Sequence, residues 1–285
     1  MTATRAAQTT AEHPLLSYIR RDRFPHIYCA ACGIGIVLNA FALALQTLEL
    51  DLDKVTLISG IGCSGRASGY FATDGFHTTH GRAIAFATGV KVANPELKPV
   101  IISGDGDLFA IGGNHFIHAA RRNVDMLVLC INNFNYGMTG GQQGPTTPEA
   151  AITVTTPFGN IEHPFNLVSL AAASGAVYVA RWTALHARQL TKSLEKALQK
   201  KGFTFVEVVS PCPTLYDRYN RLGTGLDVMK RYRDIAVVRN FSDPMKAEID
   251  YRTRIVCGEF VDTEKPEFTE LLARQATELQ KRGEP

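Results

Sequence analysis

The stretch that decides the fold runs from Pro99 to Gly144 and reads PVIISGDGDLFAIGGNHFIHAARRNVDMLVLCINNFNYGMTGGQQG. An apolar run begins at Val100 and stops at the glycine-rich sequence GDGD. A helix-like segment follows to about Arg122, and a second apolar run ends at an asparagine pair. This alternation predicts a strand, a turn, a helix and a second strand.

Polar side chains stand at the ends of both predicted strands. The carboxyl ends of parallel strands joined by a right-handed crossover lie on one edge of the sheet, where open α/β sheets bind ligands. We therefore expect Asp105 and Asn133 to meet there and to offer hard oxygen ligands to magnesium. Gly104 and Gly106 allow a tight turn whose backbone N–H groups, with the helix that follows, face a diphosphate.

This pattern, GDG followed after one crossover by NN, matches the signature of thiamine diphosphate sites. A GDG turn alone is weak evidence, because glycine turns are common. The asparagine pair at the end of the next strand strengthens the interpretation. The alternative is a glycine turn followed by an unrelated asparagine pair that caps a loop.

Composition places the chain among globular proteins and excludes several classes of function. With 285 residues, 45% of them hydrophobic and 20% charged, it can bury one large core. The net charge of +3 is spread along the chain, which argues against a nucleic-acid partner. The first fourteen residues lack the apolar centre of a secretory signal, and the longest apolar stretch, Ile34 to Leu45, is too short to cross a bilayer. We expect a cytoplasmic protein without a membrane partner.

The predicted fold class is α/β, with a doubly wound, mostly parallel sheet flanked by helices. Residues 1–23 are predicted to form a loose arm, residues 24–214 the cofactor-binding domain, and residues 215–285 a tail that wraps the domain without a second core. Further elements are predicted by periodicity: helices at Gly33 to Leu48, Ala83 to Ala93, Phe165 to Ala173 and Ala184 to Lys201, and strands at Val55 to Ile61, Ala176 to Ala180 and Phe203 to Val209.

Four of the six cysteines are candidates for a metal centre. Cys29 and Cys32 form a CxxC pair, while Cys63 and Cys212 each follow a predicted strand, as Asp105 does. All four can therefore converge on one sheet edge, and four thiolates suffice for a four-iron four-sulfur cluster. A zinc site with four cysteine ligands is the alternative, although such sites usually combine two close CxxC pairs. The other two cysteines lie in apolar runs and are predicted to be ordinary buried residues: Cys130 and Cys257.

Taken in order, these motifs resemble the β subunit of the 2-oxoacid:ferredoxin oxidoreductases. The resemblance covers roughly Phe24 to Tyr219 and rests on CAACG, GIGCSGR, HGRAIAFATGVKVANP, GDGD with INN, YGMTGGQ and SPCPT. It implies a thiamine diphosphate-binding fold, with magnesium held by Asp105, Asn133 and the backbone carbonyl of Asn135. It also implies one four-iron four-sulfur cluster on Cys29, Cys32, Cys63 and Cys212. Residues expected to contact thiamine diphosphate are Gly62, Cys63, His80, Gly104, Asp105, Gly106, Asp107, Asn133, Asn135 and Thr139.

The resemblance further implies a reaction and its partners. A 2-oxoacid is decarboxylated reversibly, thiamine diphosphate supplies the carbanion chemistry, electrons pass through the cluster to ferredoxin, and coenzyme A takes the acyl group. The chain has no second α/β core for the pyrimidine-binding domain, which this family carries on a separate α subunit. We expect an α2β2 assembly and an inactive isolated β chain.

One departure from the family pattern bears on the substrate. Several members carry a lysine in YGLTKGQ, whereas this chain has Gly140 in YGMTGGQ. That form most resembles the 2-oxoglutarate:ferredoxin oxidoreductases. Arg66 beside the cluster loop could meet a substrate carboxylate, and Met138 is predicted to border the substrate. The alternatives for Arg66 are a solvated or subunit-interface arginine, and for the glycine-rich loop a flexible connection.

Two other functions remain open at the level of the sequence. The same chemistry on pyruvate or a branched-chain 2-oxoacid uses the same groups. A noncatalytic iron–sulfur or zinc scaffold would keep the fold and bind no thiamine diphosphate.

Overall fold

The computed structural model describes residues 12–282, which form a twisted sheet with helices on both faces. The strands of this part of the chain are β1 Val55–Ser59, β2 Asp74–His77, β3 Lys98–Gly104, β4 Met126–Asn132, β5 Asn135–Tyr136, β6 Gln142–Gln143, β7 Tyr178–Thr183, β8 Phe203–Val209, β9 Ala236–Val238, β10 Ile249–Asp250 and β11 Arg254–Asp262. The helices are α1 Ile34–Thr47, α2 Ala83–Ala93, α3 Gly113–Arg121, α4 Leu167–Ala173, α5 Ala187–Gln199, α6 Tyr216–Tyr219, α7 Gly225–Ile235 and α8 Phe268–Arg282.

The strand order across the large sheet is β10-β11-β7-β8-β4-β3-β1-β2, and β9 pairs with β11. The six strands from β7 to β2 in this order run parallel to one another. Their carboxyl ends therefore lie on one edge, as the sequence predicted. The short strands β5 and β6 form a separate antiparallel hairpin just beyond that edge.

Two apolar layers cover the sheet, because successive strand side chains point to opposite faces. Alternate side chains of β4 show this division: one set packs with helices α1 and α5, and the other set packs with helices α2, α3 and α4. The first set is Leu127, Leu129 and Ile131, and the second is Met126, Val128 and Cys130. This arrangement confirms the predicted doubly wound α/β fold.

The tail does more than wrap the domain, which corrects one expectation. Strand β11 pairs antiparallel with β7 and extends the sheet. It covers an edge of β7 that would otherwise present unpaired backbone N–H and C=O groups. Its Cys257 is fully buried, as is Cys130 in β4, so both cysteines lie in the apolar core as predicted.

The predicted loose arm falls partly outside the described residues, which begin at residue 12. The described remainder is attached to the domain. The backbone N–H of Arg20 donates to the carbonyl of Tyr70 at 2.9 Å, and that of Ala72 donates to Tyr18 at 3.0 Å. Leu15 is buried against α1 and its neighbours. Residues 12–23 are therefore packed rather than loose.

Two local elements differ from the sequence prediction. The GDGD turn continues as a π-helical segment, Gly106–Ile111, before α3 begins at Gly113. Strand β2 was not predicted, because its four exposed residues show no apolar alternation. Within residues 12–282, none of the helices has the length and apolar character needed to cross a membrane.

A buried ion pair joins two neighbouring strands of the sheet, β7 and β8. Nε of Arg181 in β7 donates to Oε2 of Glu207 in β8 at 2.6 Å, and both side chains are fully enclosed. Arg181 also donates to the carbonyl of Ala247 at 3.0 Å and to Oδ1 of Asn166 at 2.8 Å. The guanidinium therefore ties the loop before β10 to the sheet.

Replacing Arg181 with Met would leave the Glu207 carboxylate buried without its cation. We expect the free energy of unfolding to fall by about 3 to 5 kcal/mol, measured by urea titration with circular dichroism. The matched control is Lys192→Met, which removes the exposed partner of Glu195 on α5. That change should cost no more than about 1 kcal/mol. Equal losses in the two variants would contradict the structural role given to Arg181.

Candidate functional site

The loops that follow the parallel strands enclose a small cavity of 80 Å³ at the predicted sheet edge. The loops after β1, β3 and β4 begin where an apolar strand stops at a glycine or an asparagine, and the loop after the exposed strand β2 adds His80 to the wall. The lining residues are Ile61, Gly62, Cys63, Ser64, His80, Gly104, Asp105, Gly106, Asp107, Asn133, Asn135, Tyr136, Gly137, Met138 and Thr139. Every residue predicted to contact thiamine diphosphate is in this set.

The carboxylate of Asp107 fastens these loops to one another. It accepts hydrogen bonds from the backbone N–H groups of Ile61 at 3.2 Å and Gly81 at 2.7 Å, and from Oγ of Ser103 at 2.8 Å. Nδ1 of His80 lies 2.6 Å from its Oδ1 without the alignment of a hydrogen bond. These contacts are all with protein groups, so the cofactor contact proposed for Asp107 and His80 stays a prediction.

Asp105 presents a second carboxylate, which is almost completely buried. Its Oδ2 accepts a hydrogen bond from the hydroxyl of Thr146. Burial raises the pKa of Asp105 to about 7, against the opposing effect of hydrogen bonds from Thr146 and from nearby backbone N–H groups. Within residues 12–282, the groups with the largest effects on this carboxylate include no cationic side chain.

The asparagine pair ends in a tight turn that brings its members to the cavity. Phe134 has a φ of 63°, a left-handed conformation that is unusual for a residue other than glycine. The turn is held by Oγ1 of Thr147, which donates to the Phe134 carbonyl at 2.6 Å, and by Nδ2 of Asn135, which donates to the Asn133 carbonyl at 2.8 Å. The turn brings Asn133 and Asn135 into the cavity wall beside Asp105.

Glycine is required around these carboxylates because neighbouring side chains lie too close to the backbone to leave room for a Cβ. A Cβ at position 60 would lie 1.9 Å from Oδ2 of Asp107, and a Cβ at position 106 would lie 2.4 Å from Cε1 of Tyr136. Neither position can carry a side chain without displacing its neighbour. The hydroxyl of Tyr136 donates to the Gly106 carbonyl at 3.3 Å, which closes the β5 side of the cavity.

A second cavity, of 210 Å³, is lined by all four cysteines that the sequence grouped together. Cys29 is exposed, Cys32 is buried, and Cys63 and Cys212 are half-buried. Oγ1 of Thr214 lies within hydrogen-bond distance of the Cys29 sulfur, at 3.2 Å. Strands β1 and β8 therefore bring Cys63 and Cys212 to the CxxC pair, as the parallel-edge argument predicted.

Burial raises the pKa of the Cys32, Cys63 and Cys212 thiols, and neighbouring cysteines add to the effect at Cys32 and Cys63. For Cys63 the pKa rises to about 11. All six cysteines are free. Among the described residues, no three His, Cys, Asp or Glu side chains stand close enough together to hold a single metal ion.

The two cavities share one wall, formed by Cys63, Asn133, Gly137 and Met138. The Cys212 sulfur lies 3.9 Å from Oδ1 of Asn135, which places the asparagine turn directly beside the cysteines. A group bound at Asp105 and a group bound by the cysteines would therefore be neighbours.

The structure places Met138, but not Arg66, at the two cavities. Met138 is exposed and lines both cavities, and Thr139 lines the smaller one. Arg66 lies on a short 3₁₀ helix, Ser64–Gly69, where its side chain is exposed and lines neither cavity. Gly140 has a φ of 121°, a conformation that suits glycine and strains a lysine. The substrate roles of Arg66 and Met138 stay predictions.

Several residues of the site were not foreseen from the sequence. Thr146 contacts Asp105 across 41 positions of chain, and no local pattern marks it. Asp217 lies on α6, five positions after Cys212; burial raises its pKa to about 7, and within residues 12–282 its Oδ2 has no hydrogen-bond partner. The pairing of Glu207 with Arg181 could have been anticipated from the sequence. Each is a charged residue inside an apolar strand, and buried charges are usually paired.

The chain is similar to several known proteins. The family described as "Thiamine pyrophosphate enzyme, C-terminal TPP binding domain" matches residues 60–208. The 2-oxoglutarate synthase subunit KorB of Methanocaldococcus jannaschii is 51% identical over 267 residues, which is 94% of this chain and 98% of the relative. The β subunit of a Saccharolobus solfataricus 2-oxoacid:ferredoxin oxidoreductase is 42% identical over 219 residues, or 76% and 69% of the two chains.

A solved structure extends the similarity to the whole fold. The 2-oxoglutarate:ferredoxin oxidoreductase from Magnetococcus marinus, with 2-oxoglutarate, coenzyme A and succinyl-CoA bound, superposes with a TM-score of 0.83 at 32% sequence identity. The match covers 98% of this chain and 94% of that one. The chain therefore belongs to the thiamine pyrophosphate enzymes and, among them, to the β subunits of the 2-oxoacid:ferredoxin oxidoreductases of the 2-oxoglutarate synthase KorB type.

Proposed function

We propose that this chain is the β subunit of a 2-oxoglutarate:ferredoxin oxidoreductase. In the oxidative direction, 2-oxoglutarate, the thiol of coenzyme A and two oxidised one-electron carriers give succinyl-CoA, carbon dioxide, two reduced carriers and a proton. The C–C bond to the carboxylate breaks and the thioester C–S bond forms. The observation that carries this proposal is the wall shared by the Asp105 cavity and the cysteine cavity.

The donors around Asp105 fit magnesium and a diphosphate. A buried carboxylate without a cationic side chain, an amide oxygen from Asn133 and the backbone carbonyl of Asn135 are hard oxygen ligands. Gly106 leaves the space that a Cβ would fill. When bound, thiamine diphosphate supplies the carbanion chemistry of decarboxylation. Asp105, Asn133 and Asn135 would hold the metal, the backbone of the GDGD turn would face the diphosphate, and Tyr136 closes one side of the cavity.

The four cysteines fit a four-iron four-sulfur cluster better than the zinc alternative. Four thiolates ligate such a cluster. A structural zinc site usually combines two close CxxC pairs, whereas here only Cys29 and Cys32 form such a pair, and the other two cysteines follow β1 and β8. Raised thiol pKa values mean that ligand binding must displace protons from the sulfurs. A reducing compartment such as the cytoplasm suits six free cysteines.

An α subunit is the partner expected for a β subunit, and an apolar loop supports this proposal. In residues 148–166, the side chains of Phe158 and Ile161 are 102% and 93% exposed. The loop is nevertheless ordered by Asn160, whose Nδ2 donates to the carbonyls of Thr147 at 2.8 Å and Glu162 at 3.1 Å. An ordered loop that exposes apolar side chains at its tip is typical of a protein interface. We propose that the α subunit covers it in an α2β2 assembly.

We propose an acidic electron carrier such as ferredoxin as the second protein partner. The supporting observation is an open groove of 780 Å³ on the surface of the chain. Three arginines line it: Arg221, Arg231 and Arg252. Arg231 donates to the backbone carbonyls of Tyr251 and Arg252, each at 3.1 Å, and Arg252 donates to the Tyr251 hydroxyl at 3.0 Å. Among the described residues, none of the three arginines forms an ion pair with a carboxylate. Asp250 is the neighbouring acid, and Arg252 contributes to lowering its pKa.

The groove lies one helical turn from the cysteines. Leu215 lines the cysteine cavity, and its carbonyl accepts the N–H of Tyr219, which lines the groove. Arg221, just after α6, has a φ of 54°, a conformation unusual for arginine. Positive charge attracts an acidic carrier and orients it, and electron-transfer encounters need only a small interface.

The substrate and the need for the partner can be tested together. Purified anaerobically with its α subunit, the complex should reduce the carrier with 2-oxoglutarate and coenzyme A, and should do so faster than with pyruvate or branched-chain oxoacids. The β chain alone should give no turnover. Fast turnover of pyruvate beside inactivity on 2-oxoglutarate would overturn the substrate, and turnover by the β chain alone would overturn the division of the site between subunits.

The cluster is tested by a matched pair of cysteine variants. Cys63→Ala removes one proposed thiolate ligand, so we expect most of the bound iron, the acid-labile sulfide and the visible absorption to be lost. Cys130→Ala removes a thiol that is buried in β4 away from the cavity and should leave the iron content unchanged. Zinc without iron in the unaltered complex would exclude the cluster.

Charge reversal tests the carrier groove. The double variant Arg221→Glu and Arg252→Glu should slow reduction of an acidic carrier by about tenfold or more at low ionic strength, and added salt should narrow the difference. Reduction of a small uncharged dye should be unaffected. The control is Arg274→Glu on α8, an exposed arginine remote in sequence from the groove. Unchanged carrier kinetics in the double variant would show that the carrier docks elsewhere.

A further inference from the structure

A continuous line of buried polar contacts runs from the middle of the sheet to the proposed magnesium ligand. Its members are Arg181 in β7, Glu207 in β8, Asn132 in β4, Thr146 in the following loop and Asp105. Nδ2 of Asn132 donates to Oε1 of Glu207 at 2.8 Å, and Oγ1 of Thr146 lies 3.0 Å from Oδ1 of Asn132. Each of the five residues is at most 3% exposed.

The ion pair at the start of this line determines how the asparagine is turned. Arginine can only donate and an ionised carboxylate can only accept. One oxygen of Glu207 accepts from Arg181 and the other accepts from the amide nitrogen of Asn132. The Asn132 amide oxygen must therefore point the other way, where it accepts the backbone N–H of Phe134 at 3.2 Å. The same oxygen faces Thr146.

Thr146 lies between this asparagine and Asp105. Its hydroxyl has a single proton and two oxygen neighbours, Oδ1 of Asn132 and Oδ2 of Asp105. Asp105 is ionised when it binds a metal ion, and donation to an ionised carboxylate is the stronger interaction. The Asn132 oxygen then keeps the backbone N–H of Phe134 as its donor, and its 3.0 Å contact with Oγ1 limits where the Thr146 hydroxyl can lie. The hydroxyl in turn restricts the rotation of the Asp105 carboxylate.

We propose that Thr146 is a positioning residue for the magnesium and thiamine diphosphate site, and that the Arg181–Glu207 pair supports it by fixing the Asn132 side chain beside it. The inference rests on the proposed function, since it takes Asp105 as a metal ligand. It explains why a charged pair lies inside two apolar strands at the carboxyl half of the sheet. It also gives the first asparagine of the pair a role distinct from that of Asn133.

Binding, rather than turnover, tests this role. Magnesium is titrated calorimetrically into the αβ complex in the presence of thiamine diphosphate, and a circular dichroism melt checks each variant for folding. Thr146→Val keeps the side-chain shape without the hydroxyl, and should weaken the apparent magnesium affinity by about 10- to 100-fold. Thr146→Ser restores the hydroxyl and should bind within about threefold of the unaltered complex. Equal affinities for the valine variant and the unaltered complex would overturn the proposal.

Two further variants separate positioning from general destabilisation. Thr204→Val removes another buried hydroxyl, one that donates to the Met126 carbonyl and does not line the site, and should leave magnesium affinity unchanged. Glu207→Gln keeps one acceptor oxygen where two are needed, so it should weaken magnesium binding several-fold in a complex that is still folded. Equal losses in Thr204→Val and Thr146→Val would assign Thr146 a structural role only and overturn the inference.

Asp105→Asn distinguishes failure of this inference from failure of the proposed function. If the unaltered complex binds magnesium and thiamine diphosphate, Asp105→Asn does not, and Thr146→Val binds normally, the function stands and the positioning role is wrong. If the unaltered complex binds neither, both are wrong.

Discussion

The geometry of the site depends on a single buried carboxylate, that of Asp107. It accepts hydrogen bonds from Ile61, Gly81 and Ser103, and so joins the segments that follow β1, β2 and β3 at one point. Three donors compensate for most of the hydration that the carboxylate loses on burial. The glycine at position 60 allows the approach, since a Cβ there would overlap the carboxylate. Loops that are mobile in many proteins are thereby fixed to a rigid sheet.

Two cavities with a common wall connect this scaffold to redox chemistry. Hard oxygen donors line one side and thiols line the other, so each is suited to a different kind of metal centre. Asn135 touches both sides through its turn and its contact with Cys212. A carbon centre activated in the first cavity would have its electron acceptor next to it. The exposed apolar loop at residues 148–166 is where we propose that a partner subunit completes the site.

Much of this site could be predicted because parallel strands end at one edge. That rule was enough to bring Asp105 towards Asn133, and Cys63 towards Cys212, although the two cysteines are 149 positions apart in the chain. The rule says nothing about which way a side chain turns. Arg66 follows β1 as predicted, yet the 3₁₀ helix at Ser64–Gly69 directs it to solvent. Strand β11 was also missed, because pairing with β7 depends on an edge that exists only once the sheet has formed.

The sequence by itself determined the fold class, the polar strand ends and the supply of oxygen and sulfur donors, because strand periodicity and glycine turns are local properties of the chain. Only the tertiary structure decided which donors meet. Thr146 reaches Asp105 across 41 positions and Arg181 reaches Glu207 across 26, and neither pair is marked by spacing. Such contacts follow from strand order and register, which bring distant residues within hydrogen-bonding distance. Their energetic weight comes from burial, which removes the water that would otherwise compete for the same groups.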